Sequence, residues 1–326
     1  MNQGGCYMTY DEAYSLLEQY DQLHLLEYYE KLSAGEREKL LEQIANIDFS
    51  VLTICKQGHQ SNTSRGVIQP LAAMQLSLIE QHKEEYTQLG MQAIKQGKVA
   101  ALLLAGGMGT RLGSDAPKGM YNIGVTKEVY IFERLICNLL DVVKQAGVWI
   151  PLFIMTSDKN HQATVTFLKE KDFFGYREEE VTFFMQDMAP ATDYQGKIYL
   201  EDKGCISMSP NGNGGWFSSM IRSGALKKAT DKGVEWINLF AVDNVLQRIA
   251  DPCFIGATIA TKSAVGAKVV KKVAPDEKVG VMCLEDGKPT IIEYYELTEE
   301  LMNETDEAGD PAYNFGVILN YLFRRK

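Results

Sequence analysis

A chain of 326 residues with 45% hydrophobic side chains is long enough to bury one large or two modest cores, which excludes an intrinsically disordered chain. Its formal net charge of −10 excludes a general nucleic-acid surface, which needs clustered Lys and Arg, and leaves room only for a local basic pocket. Six cysteines without a C-x-x-C pair, four histidines without metal spacing, no secretory signal and no apolar run near ~18 residues point to a cytoplasmic protein with reduced thiols, no zinc site and no membrane span.

Residues 9–95 read as helices. In "TYDEAYSLLEQYDQLHLLEYYEKL", Leu16, Leu17, Tyr20, Leu23, Leu26 and Tyr29 recur at three- and four-residue spacings, as on one apolar face of a helix. Thr9 with Glu12 forms a capping-box pair at the start, and Ser33 with Glu36 repeats it before "REKLLEQIANI". The polar stretch 56–70, "KQGHQSNTSRGVIQP", reads as a loop, and a further helix spans 75–96. At Val99 the period changes. "VAALLLAGG" is a strand, a helix crosses Tyr130 to Gln145, "WIPLFIMTS" is a strand, a helix crosses His161 to Lys171, and "VTFFMQ" is a strand. This βαβ alternation predicts an α/β fold: a doubly wound, mostly parallel Rossmann-like sheet, preceded by a helical N-terminal region, with ligands at the carboxyl ends of the strands. The later stretch 266–297 reads as strands and hairpins, with Asp286-Gly287 as a turn.

The first strand breaks into "LAGGMGTRLGSDAPKG", where glycines this dense let backbone N–H groups converge on an anion. A P-loop needs lysine directly after its last glycine, but Ser114 and Asp115 follow Gly113. The dinucleotide fingerprint needs its third glycine at 112, where Leu112 stands, so that reading, of a nicotinamide-dependent dehydrogenase, is weakened. Gly106, Gly107, Gly109, Thr110, Arg111, Gly113, Pro117 and Lys118 instead fit G-G-x-G-T-R-x-G followed by Pro-Lys, the pattern of nucleotidyltransferases acting on a nucleoside triphosphate and a sugar 1-phosphate. Arg111 and Lys118 then supply charge for phosphate oxygens. Five more stretches carry usable chemistry. Gln186 in "FFMQDMAPA" offers an amide that donates to and accepts from a base edge. Gly212 and Asn213 in "SPNGNGGWFSSM" form a second glycine loop before a helix, suited to close approach by a base or ribose. Asp243 in "AVDNVLQRIADP" follows an apolar strand and suits Mg2+, though Asp there is often a turn or helix cap. Glu293 in "IIEYYEL" and Asn314 in "YNFG" are hydroxyl-binding candidates.

Taken in order along nearly the whole chain, "HLLEYYEKLSAGEREKLLEQI", the glycine loop, "FFMQDMAPA", "SPNGNGG", "VDNVLQRIADPCFIG", "GAKVVKKVAPDEKVGVMC", "IIEYYEL" and "YNFG" resemble the UDP-sugar pyrophosphorylases, and among them the eukaryotic-type UDP-N-acetylglucosamine pyrophosphorylases. The resemblance implies that Leu104, Ala105, Gly106 and Gly107 contact the nucleotide, with Arg111 and Lys118 catalytic on its phosphates. It implies that Gln186, Gly212 and Asn213 hold uracil and ribose, that Asp243 holds Mg2+, and that Gly280, Glu293 and Asn314 contact the sugar. The implied reaction is attack of a sugar 1-phosphate on the α-phosphate of UTP, giving UDP-sugar and pyrophosphate, with N-acetylglucosamine 1-phosphate as the sugar partner. UDP-glucose pyrophosphorylase and a UDP-sugar binding protein without turnover remain as alternatives. The expected domains are a helical N-terminal domain over 1–97 and a nucleotidyltransferase domain over 98–326. The family chain continues past "NYLFRRK", so the second domain is expected to be incomplete at its C-terminus.

Overall fold

Six consecutive residues, Val99–Leu104, are each no more than 3% exposed, as a strand covered on both faces requires. The computed structural model of the chain describes residues 8–50, 52, 65–307 and 309–325. In chain order its strands are β1 (Ile68–Pro70), β2 (Val99–Leu104), β3 (Leu152–Thr156), β4 (Val181–Met185), β5 (Met188–Pro190), β6 (Leu200–Asp202) and β7 (Cys205–Ile206). They continue with β8 (Met208–Pro210), β9 (Trp236–Ala241), β10 (Val265–Lys271), β11 (Val281–Glu285), β12 (Lys288–Ile292) and β13 (Phe315–Arg324). Nine of them form one mixed sheet along the path β1-β11-β13-β9-β2-β3-β4, with β10 on β13 and β12 on β11. Its centre is parallel: β9 pairs β2, β2 pairs β3 and β3 pairs β4. The strands on the far side of β9 join antiparallel.

The period of two along β2 divides the packing. Val99, Ala101 and Leu103 enter a core with Phe132, Leu135, Ile136 and Leu139 of helix Ile131–Ala146. Ala100, Leu102 and Leu104 face the other way, into a core with Met220, Ala225 and Ala229 of the helices Trp216–Arg222 and Ala225–Asp231. A mixed α/β sheet with a parallel centre and helices on both faces therefore aims the loops after β2, β3, β4 and β9 at one rim.

Two compact units emerge: residues to Ser64 with Asp187–Asn211, and Arg65–Gln186 with Gly212–Lys326. These bounds differ from the expected break at residue 97, and packing explains the difference. Ile198 and Ile206 share a core with Leu17, Leu25, Leu40 and Ile44, and the buried Gln22 amide donates to the Gly196 carbonyl (2.9 Å) and accepts from the Ile198 amide (3.0 Å). Helix Lys83–Lys95 belongs instead with the sheet. Its Gly90 meets helix Pro252–Ala260 so closely that an added Cβ would stand 1.9 Å from the Pro252 carbonyl oxygen.

Both expected capping boxes form, at Thr9 with Glu12 and at Ser33 with Glu36. The first helix is shorter than its apolar stripe predicts, running over Tyr10–Gln19. Asp21 adopts a left-handed φ of 58° and the Gln22 amide reaches back to the Leu17 carbonyl, a terminating turn that spacing does not reveal. The single helix expected over 75–96 is two, Leu76–Gln81 and Lys83–Lys95, interrupted at His82 with φ −107° and ψ 11°. Of the expected loop 56–70, residues 56–64 lie outside the described residues, and Ile68–Pro70 is a strand paired to Glu285–Cys283. The Asp286-Gly287 hairpin turn joins β11 to β12, with φ of 51° and 75°. Cys137, Cys205, Cys253 and Cys283 are free thiols, while Cys6 and Cys55 lie outside the described residues. No described helix is long and apolar enough to cross a membrane.

Candidate active site

The glycine loop leaves β2 at Leu104. Leu104 and Ala105 are 3% and 2% exposed and point into the two opposite cores, so only their main chain is able to face a ligand. Gly106 is the point of close approach. A Cβ there would lie 2.7 Å from Nε2 of Gln186, so the Gln186 amide, 8% exposed, rests against the glycine backbone. Two adjacent parallel strands separate these residues in sequence and the sheet reunites them: Gln186 follows β4 directly, and its amide N–H donates to the Thr156 carbonyl of β3 at 2.8 Å.

Beyond Gly107 the chain folds back on itself. Met108 bridges Pro117, the Gly109 amide donates to the Ala116 carbonyl (2.8 Å), and the Lys118 amide donates to the Gly107 carbonyl (3.2 Å). Arg111 stands exposed on a 3₁₀ turn, Thr110–Leu112, at the far end of this loop. Lys118 is set more deeply. Its side chain is 18% exposed and its Nζ pairs with the Asp243 carboxylate. Asp243 stands two residues past β9, where the Val242 amide donates to the Leu104 carbonyl (3.1 Å), so the expected phosphate lysine and metal carboxylate meet at the mouth of β2.

The Asp243 turn is tied down by amides that motif reading passed over. Gln247 Nε2 donates to the Ala241 carbonyl (2.8 Å), Asn320 Nδ2 donates to Gln247 Oε1 (3.1 Å), Asn238 Nδ2 donates to Asn320 Oδ1 (2.9 Å), and the Ala250 amide donates to Asn238 Oδ1 (2.7 Å). All three side chains are buried, so the network fixes the turn only because its members satisfy one another. Among the described residues no cluster of three or more His, Cys, Asp or Glu could hold a metal ion. Asp243, 63% exposed at its side chain, nevertheless suits Mg2+, which is commonly bound through one or two carboxylates with phosphates and water completing its shell.

Gly212 and Asn213 open a turn into helix Trp216–Arg222, whose Met220 shares a core with Phe184 of β4. No hydrogen bond among the described residues joins them to the glycine loop.

Register brings Gly280 and Glu293 together: Val281 pairs with Ile292, which sets the residue before β11 beside the residue after β12. The same register does not bring Asn314 to them, because Val281 pairs antiparallel with Gly316 on the other edge of β11, and two residues back along β13 leads toward Cys283 and away from Gly280. A Cβ on Gly280 would lie 3.2 Å from Glu293 Oε2, and the Val317 amide donates to the Gly280 carbonyl (2.9 Å). Asn320 of β13 opposes Phe240 of β9, so Phe315–Leu319 run on past the carboxyl end of β9 to the rim that carries the glycine loop. Asn314 is 7% exposed, and its Oδ1 is buried without a hydrogen-bond partner among the described residues. The Glu293 amide donates to Glu296 (3.0 Å), and Arg65 pairs with Glu296 at 2.7 Å. The Glu293 N–H and the Arg65 guanidinium hold the Glu296 carboxyl below its ordinary value of 4.5.

The chain is similar to known proteins in sequence and fold. Residues 50–315 match the family described as UTP–glucose-1-phosphate uridylyltransferase. The chain is 39% identical over 315 residues to UDP-N-acetylglucosamine pyrophosphorylase of Saccharomyces cerevisiae, covering 93% of this chain and 64% of that protein. It is 35% identical over 331 residues to UDP-N-acetylhexosamine pyrophosphorylase-like protein 1 of Mus musculus, covering 95% of this chain and 65% of the relative. Among solved structures, the Trypanosoma brucei uridine diphosphate N-acetylglucosamine pyrophosphorylase in complex with an inhibitor superposes with a TM-score of 0.81 at 29% identity, over 96% of this chain and 66% of that one. The chain thus spans less than two thirds of the length of the curated relatives it matches. A nucleotidyltransferase glycine loop at the mouth of a parallel sheet, and a match running over residues 50–315, make this chain a member of the UTP–glucose-1-phosphate uridylyltransferase family.

Proposed function

We propose that the sheet unit, which holds most of the expected nucleotidyltransferase domain 98–326, is the catalytic part of a uridylyltransferase. It takes UTP and a sugar 1-phosphate, with Mg2+, to UDP-sugar and pyrophosphate. The observation that carries the reading is the buried Gln186 amide resting on Gly106, because an amide at the closest point of a phosphate loop is placed to read a base edge. The finer fold reading, a doubly wound Rossmann-like sheet preceded by a helical domain over 1–97, and a cytoplasmic location belong to the same proposal.

In this proposal the backbone of Leu104–Gly107 lies along the nucleotide, with Gln186, Gly212 and Asn213 on uracil and ribose. Gly280, Glu293 and Asn314 hold the sugar; the partnerless Asn314 Oδ1 accepts from a substrate N–H or O–H, a bond that would relieve a buried orphan acceptor. The sugar phosphate oxygen forms a bond to the α-phosphorus as the bond to the β-phosphate oxygen breaks in line, and the electron pair leaves on pyrophosphate. No protein nucleophile takes part. Arg111 and Lys118 balance charge moving toward the leaving group, and the loop aligns the two reactants. Asp243 would hold Mg2+, which would supply positive charge to the phosphates. Lys118 turns from Asp243 toward phosphate as the nucleotide enters.

The preferred sugar is N-acetylglucosamine 1-phosphate, after the names of the relatives; the family description names glucose 1-phosphate and makes that sugar the alternative. Mixing the chain with UTP, Mg2+ and each sugar 1-phosphate in turn, and measuring pyrophosphate, tests the proposal. Release with neither sugar, while UDP-sugar still binds, would replace it with the non-catalytic binding role.

A further inference from the structure

Asn160 stands at the amino-terminal boundary of helix His161–Glu170, where an asparagine ordinarily caps the helix by accepting a hydrogen bond from its first turn. It makes no such bond. The side chain, 0% exposed, is turned to the glycine loop instead: Nδ2 donates to the Ala105 carbonyl at 2.8 Å and to the Gly107 carbonyl at 3.3 Å. Its Oδ1 accepts from the Ser157 amide at 2.8 Å, which anchors the amide to the end of β3. One buried side chain therefore ties the loop after β3 to the loop after β2.

The consequence follows from peptide geometry. In a trans peptide the carbonyl and the following N–H point in opposite directions. Holding the Ala105 and Gly107 carbonyls toward Asn160 aims the N–H groups of Gly106 and Met108 away from it. Without such a restraint a Gly-Gly pair has many peptide orientations open to it, and ordering them at the moment of binding would cost affinity. We infer that Asn160 is a positioning residue of the nucleotide site, fixing the glycine-loop peptides so that the Gly106 and Met108 amides are aimed at phosphate before the nucleotide arrives. The inference rests on the nucleotide-binding reading of that loop.

Asn160→Asp is the decisive variant, since it keeps the size of the side chain and the acceptor for Ser157 but removes both donors. The experiment measures UTP and UDP-sugar binding by calorimetry on the whole chain, KM for UTP and for the sugar 1-phosphate, and thermal unfolding. The expected result is a rise of at least ~10-fold in the nucleotide Kd and KM, with the KM for the sugar phosphate changed less than ~3-fold. Asn160→Ser, which retains one donor, should fall between the wild type and Asn160→Asp, and serves alone if the carboxylate prevents folding. A folded variant that binds UTP as tightly as the wild type overturns the inference and leaves the proposed function standing. Equal losses for both substrates, tracking the loss of thermal stability, overturn it as well. A wild-type chain that binds no uridine nucleotide overturns both.

Discussion

Replacing Gly106 with alanine should damage base recognition while leaving the fold nearly intact. The new Cβ would lie 2.7 Å from Gln186 Nε2, 3.2 Å from its Cδ and 3.5 Å from its Oε1, whereas ordinary contacts begin at 3.4 Å. The amide must therefore retreat by roughly 0.7 Å, enough to stretch a hydrogen bond of ordinary length past the range where it counts as one. The atom in the way is the tip of a flexible side chain, and Gly106 has no left-handed φ, so the structural cost stays near ~1 kcal/mol. Losing one matched base contact in a buried setting costs ~1–3 kcal/mol, or about 5- to 150-fold. The assay is kcat/KM for UTP and for CTP with the same sugar 1-phosphate, beside a thermal melt. The UTP preference should fall by that factor, Gln186→Ala should do the same, and the double variant should lose little more than the larger single loss, because both changes remove one interaction. An unchanged UTP/CTP ratio in a folded Gly106→Ala protein would refute the assignment of Gln186 to the base.

Lys118→Ala and Arg111→Ala should each lower turnover by at least ~10²-fold with folding intact, since charge-assisted phosphate contacts strengthen as charge moves to pyrophosphate; near wild-type turnover removes either residue from the mechanism. Asp243→Asn keeps the size of the side chain and loses the charge a hard cation needs, so the Mg2+ titration should shift to higher concentration, and an unchanged titration rejects the site. Glu296 gives a pH dependence of known sign. Its carboxyl is held below 4.5, so its bond from the Glu293 amide and its Arg65 partner are fully in place above that pH and are lost as pH falls through the lowered value. The KM for the sugar 1-phosphate should then rise below pH 4.5, and Glu296→Gln should raise it at neutral pH and flatten that rise; a KM equally flat in both proteins counts against Glu296 as the support of Glu293. Asn320→Ala removes the acceptor of Asn238 and the donor to Gln247 at once, so urea unfolding should show a loss of ~2–4 kcal/mol, and a loss under ~1 kcal/mol would mean the buried network is not cooperative.

The parts of the fold legible in the sequence are those decided locally. A run such as VAALLL has no polar face to offer water, so it specifies a central strand without reference to the rest of the chain. The Thr9 and Ser33 capping boxes and the Asp286-Gly287 turn are settled within four residues. The misses have the opposite character. The stripe from Leu16 to Tyr29 keeps helical spacing, yet the helix stops at Gln19 because Gln22 gains bonds to Gly196 and Ile198 that are 174 and 176 residues away. Residues 187–211 fall with the N-terminal helices for the same kind of reason: Ile198 and Ile206 find their apolar partners there, and nothing in their own spacing says so.

The candidate site divides along the same line. Glycines and charges declare themselves because few other tasks call for G-G-x-G-T-R-x-G, whereas Asn160, Asn238 and Asn320 carry no signal, since an asparagine before a helix reads as a cap and one in a strand reads as an accident. Their work is fixed only when β2, β3, β9 and β13 lie side by side. The pairing of Lys118 with Asp243 is the sharpest instance. Sequence assigns each a separate charge to meet, phosphate for one and a cation for the other; the sheet gives them to each other. A lysine side chain only 18% exposed bears a desolvation cost, and the aspartate paired with it offsets part of that cost. Under the proposed function, a magnesium triphosphate would exchange one opposite charge for another at each group, so that neither would first have to stand as an isolated ion. That economy requires both residues at one strand mouth, which is a property of the β2–β9 register and of no stretch of sequence read alone.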